Sequence, residues 1–130
     1  MSDELLDQGM ATRREVLGGA HVDRALEESD GFSASFQDLL TRYAWGAVWS
    51  RPGLDRRTRS CITVAMLAAQ GSDQELGMHI GAARRNGVSV DEIEEILLQV
   101  AVYAGVPRAN HAFAVARRAL ADAGGQPDRT

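Results

Sequence analysis

The sequence predicts an all-α fold, on three features. No long run alternates β-branched and polar residues in the two-residue period of a strand. Apolar residues recur instead at spacings of three and four, and glycine, proline and serine-aspartate punctuation separates alanine-rich and leucine-rich stretches. At 130 residues the chain fits one domain, 1–130, with residues 125–130 (GQPDRT) as a frayed tail.

A first helix is expected over 3–18, stopped by Gly18-Gly19, and a short second one over 21–28, stopped before Ser29-Asp30-Gly31. From 33 to 49, Phe36, Leu39, Leu40, Tyr43 and Ala47 mark an amphipathic helix, and Arg51-Pro52-Gly53 turns it into a loop at 50–54. Asp55 is placed to cap the next helix, 56–70, whose apolar stripe is Ile62, Ala65, Met66 and Ala69. Gly71 closes it. Ser72 and Glu75 fit the S-x-x-E capping box, in which serine accepts from an early amide and glutamate reaches back to another. That helix runs to Gly87, a left-handed cap. Ser89 and Glu92 repeat the box before a helix carrying Ile93, Ile96, Leu97, Leu98, Val100, Val102 and Tyr103. This helix is apolar on more than one face, which suits a central helix or a subunit interface. Gly105 breaks it, and Pro107 suits the first turn of a last helix with Ala112, Phe113, Ala116 and Leu120.

Composition narrows the function classes. The net charge of −4 argues against a general nucleic-acid surface, which needs a broad basic field. The acidic N-terminus MSDELLDQGM lacks a signal pattern, and no apolar run approaches the roughly 18 residues that span a bilayer. The expected location is the cytoplasm. A lone cysteine, Cys61, cannot form an internal disulfide or a CxxC pair. No phosphate loop, H-E-x-x-H or zinc spacing is present. Thin, alanine-rich helices around a small core favour burial of a further face against another subunit.

Three constellations could carry chemistry. Histidine titrates nearest neutral pH and serves most readily as general acid or base. Of the three, His21 beside Asp23 reads as a surface residue, and His111, with Asn110 and Tyr103, reads as packing or capping. His79 lies among Leu76, Ile80 and Ala83, with Glu75 one turn earlier on the same face. Spacing alone leaves it either a catalytic group or a satisfied core histidine. Arg51, Arg56, Arg57 and Arg59 surround a tight loop and a helix start, either as plain surface charge or as an anion site. Cations at a helix N-terminus oppose its dipole, which leans toward function. Trp45 and Trp49, four apart, serve as core or interface anchors or as an apolar wall facing a bound anion.

Together, YAWGAVWSRPGLDRRTRS (43–60), ELGMHIGAARRNGVSVDEIEEILLQVAVYAGVP (75–107) and ANHAF (109–113) resemble the carboxymuconolactone decarboxylase family over about residues 10–122. The resemblance is greatest to the branch acting on 4-carboxymuconolactone in protocatechuate breakdown, the β-ketoadipate pathway. It implies an alkylhydroperoxidase D-like helical bundle of six to seven helices, assembled as a homohexamer, a trimer of dimers. Peroxidatic relatives carry CxxCxxxH; superposing its histidine on His79 puts Ser72 and Glu75 at the cysteine positions, which removes dithiol chemistry and keeps His79.

The activity implied is loss of CO2 from a small anionic lactone, giving 3-oxoadipate enol-lactone without metal or cofactor, because the substrate supplies its own electron sink. The resemblance assigns His79 and Glu75 to catalysis and Arg51, Arg57, Arg59, Trp45 and Trp49 to substrate binding. A peroxidase-like or lactone-processing enzyme, or a non-catalytic helical oligomer that binds a ligand, are the alternatives.

Overall fold

The computed structural model describes residues 3–123, and the tail expected to fray at 125–130 lies outside them. Seven α-helices and no strand occur among the described residues. None of these helices is long and apolar enough to cross a membrane. The chain divides into two compact units, 1–55 and 56–130.

In the first unit, α1 (Glu4–Leu17) starts where Asp3 accepts from the Leu6 amide at 3.1 Å. Arg42 also pairs with Asp3 and, together with that amide, holds its carboxyl below the usual range. The helix ends at Gly18, where α2 (Gly19–Glu28) begins. One face of α1 is buried: Gly9, Thr12, Arg13, Val16 and Leu17, at steps of three and four. It packs on the segment after α3 (Ala34–Leu40), which continues without a break into a π-helix, Thr41–Trp49. Glycines make this crossing possible. A Cβ at Gly46 would stand 2.6 Å from the Leu5 carbonyl oxygen, and one at Gly9 would fall on the Thr41 carbonyl.

The stripe that marked 33–49 as amphipathic lies on the outside: Phe36, Leu39 and Tyr43 are 62%, 58% and 68% exposed. Thr41, Trp45 and Gly46 are buried instead. Close backbone contact selects the small-residue face, and π winding shifts the register beyond Leu40.

The second unit holds α4 (Arg56–Gln70), α5 (Asp73–Arg85), α6 (Val90–Ala104) and α7 (Val106–Asp122). Val64, Leu76, Ile80, Ile93, Leu97 and Ala112 lie at its core. On α4 the buried row is Ser60, Val64 and Ala68, so the expected stripe is rotated: Ile62 and Met66 face outward. The two-faced character of α6 is real. Ile93, Leu97 and Val100 are buried, while Leu98, Val102 and Tyr103 are exposed.

The caps of α4 and α5 share a logic. The Gly71 amide donates to Ala68 O and the Ser72 amide to Leu67 O; the Gly87 amide donates to Arg84 O and the Val88 amide to Ala83 O. Both glycines have positive φ, +74 and +93, so each closes a Schellman motif. Because Ser72 completes the α4 cap, its backbone sits at ψ 73, and its side chain makes no cap hydrogen bond. The capping box predicted for Ser72 and Glu75 is therefore absent; the Ser72 hydroxyl turns to Gln70 instead. Ser89, at ψ 163, does cap: the Glu92 amide donates to its hydroxyl at 3.1 Å, and its own amide donates to Glu92 at 2.9 Å. Ser89→Ala should cost about 1 kcal/mol, readable as a lower urea midpoint, whereas Ser72→Ala should cost little.

Candidate functional site

The centre of α5 carries the chemistry. His79 is 8% exposed and shares the buried side of the helix with Leu76, Ile80 and Ala83. Its Nδ1 is shielded from solvent. Glu75, one turn earlier, is exposed and makes no hydrogen bond or ion pair among the described residues. It neither caps α5 nor bonds to His79, and its carboxylate remains available. Four-residue spacing keeps the two Cβ atoms about 6 Å apart, close enough to act on one bound molecule.

The arginines separate. Arg51 is exposed in the first unit, two residues beyond the π-helix. Arg56, Arg57 and Arg59 occupy the first turn of α4 in the second. Arg57 pairs with Glu92, the same side chain that closes the α6 capping box. Arg57 thus braces the start of α6 against α4. Arg59 is half-buried, with its Nε shielded from solvent. Trp45 (4% exposed) and Trp49 form a tilted aromatic pair, with ring centroids 5.0 Å apart at 36°. The predicted candidates fall into two groups: Trp45, Trp49 and Arg51 in residues 1–55, and Arg57, Arg59, Glu75 and His79 in residues 56–130.

His111 takes a position the sequence did not suggest. It lines an open groove of about 590 Å³ between α5 and α7, with Asp73, Met78, Arg118 and Asp122. His79 and Glu75 do not line it. Arg13, a charged residue that its helix pattern would place at the surface, is also buried, 4% exposed. A signal for it existed: Gly9, Thr12, Arg13 and Val16 recur at i, i+3, i+4 and i+7 as a close-packed face that includes a charge.

Residues 34–118 match the sequence pattern of the carboxymuconolactone decarboxylase family. The chain is 46% identical over 130 residues to 4-carboxymuconolactone decarboxylase of Acinetobacter baylyi, covering 99% of this chain and 97% of that one. It is 42% identical over 118 residues to nitrosuccinic acid decarboxylase of Metarhizium robertsii, covering 91% and 82%. Over 40 residues, 31% of this chain and 83% of the other, it is 55% identical to a 4-carboxymuconolactone decarboxylase of Pseudomonas putida.

Proposed function

The chain belongs to the carboxymuconolactone decarboxylase family, and on that premise we propose that it is a carboxy-lyase converting 4-carboxymuconolactone to 3-oxoadipate enol-lactone and CO2. The observation that carries this is the 46% identity, which extends over both units and nearly to both ends of each chain. The family pattern at 34–118 also crosses from one unit to the other, which supports a single functional domain.

The substrate is a γ-lactone whose ring carbon bears a carboxylate and an acetate arm. When the C–C bond to the carboxylate breaks, CO2 leaves and the electron pair moves through the ring double bond into the lactone carbonyl. The resulting dienolate takes one proton at the carbon α to that carbonyl. The substrate holds the charge throughout, so the protein's tasks are to grip the remaining carboxylate, steady the enolate oxygen and deliver a proton. His79 is assigned to the proton transfer, since its ring is held by the packed face of α5. Glu75 biases the charge and orientation of that ring once a substrate fills the space. Arg51 and Arg59 are the cations that draw in the anionic lactone and steady the enolate, with Arg57 fixing the loop-helix junction through Glu92. Trp45 and Trp49 supply apolar surface, against which a departing carboxylate is less stable than neutral CO2.

The same logic covers the chemistry named for the fungal relative: a nitro group beside a leaving carboxylate accepts the electron pair as a nitronate. The two substrates therefore test one site. The apolar faces left outside, Phe36, Leu39 and Tyr43 on one unit and Leu98, Val102 and Tyr103 on the other, support a homo-oligomer; its form as a hexamer, a trimer of dimers, rests on the family resemblance alone. A place in protocatechuate breakdown and a cytoplasmic location follow from the same reading.

The deciding experiment supplies enzymatically generated 4-carboxymuconolactone and, separately, nitrosuccinate, and measures CO2 with and without chelator. Release from the lactone at about 1–10³ s⁻¹, unchanged by chelator, is expected. No release from it, or a clear preference for nitrosuccinate, would reject the assignment.

A further inference from the structure

Arg13 is a charge in the wrong place for a purely structural side chain. Arginine is rarely buried unless paired, and Arg13 is 4% exposed. Its one hydrogen bond among the described residues runs from Nη1 to the Thr41 hydroxyl at 3.2 Å, long for a charged donor. Nε is shielded from solvent and has no acceptor. No carboxylate of the described residues lies within ion-pair distance. The charge that acts on it is like-signed: burial first, and then Arg14, push the Arg13 pKa below its ordinary value. Arg14 itself is paired to Asp23 at 2.9 Å.

The surroundings are built around this cation. Thr41 accepts from Arg13 and donates to the Gln37 carbonyl at 2.8 Å, so its hydroxyl is fully engaged. It also opens the π-helix, a distortion that recurs at functional sites, and that helix carries Trp45 and Trp49. With Nη1 turned to Thr41, the guanidinium edge bearing Nε and Nη2 is the uncommitted one. Two parallel N–H groups there match the two oxygens of a carboxylate.

We propose that Arg13, set by Thr41 beside the π-helix, is a binding site for a small carboxylate, the one that stays on the substrate through decarboxylation. The naming of that carboxylate rests on the decarboxylase reading; the anion site itself does not. Nη1 keeps its Thr41 contact while the Nε–Nη2 edge takes the ligand. The cation is stored unpaired in the free protein and neutralised on binding, so it costs stability and contributes affinity.

That trade gives a test that turnover does not enter. Succinate, a dicarboxylate that cannot react, is titrated calorimetrically into the full-length protein and into Arg13→Met, with melting temperatures and assembly size recorded for both. Arg13→Met is expected to bind succinate at least about tenfold more weakly, to melt at the same or a higher temperature, and to keep its assembly size. Unchanged succinate binding, or none by the parent protein, overturns the site. So does a lower melting temperature with a smaller assembly, which would show the guanidinium paired to another copy. Should Arg13→Met fail to fold, Arg13→Lys keeps the charge and loses the fork, and undiminished binding by that variant overturns the proposal equally. His79→Ala, inactive but still binding succinate like the parent, separates this site from the catalytic assignment.

Discussion

His79→Ala is expected to lower kcat for CO2 release by about 10²–10⁴-fold, the usual contribution of a positioned general acid, with a much smaller change in KM. The imidazole lies on the buried side of α5, on the face it shares with Leu76 and Ala83, and truncation leaves those apolar residues in place. Truncation should thus cost about 1 kcal/mol of stability, leaving circular dichroism and assembly size unchanged. If a folded His79→Ala protein released CO2 at a rate near that of the parent, the proton would have to come from elsewhere, and Glu75, whose carboxylate is exposed, would be the next donor to test. A variant that loses both activity and fold would instead make His79 a packing residue.

The parts of this molecule that were legible in the sequence are those fixed by a few neighbouring residues. The helix at 56–70 has its predicted bounds, Gly71 and Gly87 are left-handed caps, and Ser89 with Glu92 forms its capping box. Each depends on local backbone geometry. Ser72 shows how the same pattern fails: its four-residue signature is intact, but its amide already belongs to the cap of the preceding helix. Periodicity found apolar faces correctly and could not say which of two faces a single chain buries. On 33–49 and on α4 the expected stripe points outward, and the inner faces are Thr41, Trp45 and Gly46 on the one and Ser60, Val64 and Ala68 on the other.

The candidate site divides in the same way. His79 on the packed face of α5 follows from helical spacing. That Arg57 answers to Glu92, thirty-five residues away, and that Arg13 is buried without a counter-charge among the described residues, are results of tertiary packing. A charged residue on a helix reads as solvated until its neighbours prove small enough for another helix to cover it.

That crossing sets the largest expected stability effect. Gly9→Ala should destabilise the protein by about 3 kcal/mol, measured as a shift in the urea unfolding midpoint of the full chain. Alanine is the better helix former, worth about 1 kcal/mol in a helix interior, so propensity alone predicts the opposite sign. Packing decides. The added Cβ would fall on the Thr41 carbonyl and stand 3.0 Å from the Gly46 amide, and these are backbone atoms that cannot rotate away. Relief requires α1 to lift from the π-helix, which would also pull Arg13 from Thr41 and loosen the contact between the Thr12 and Ser50 hydroxyls, 2.8 Å apart. Gly81→Ala is the matched control: it lies inside α5, and nothing stands within 4 Å of its would-be Cβ, so the propensity gain should appear unopposed. Opposite signs for the two substitutions would establish that Gly9 is held by close approach. Equal gains would mean that α1 does not pack this tightly on the π-helix, and the burial of Arg13 would have to be reconsidered with it.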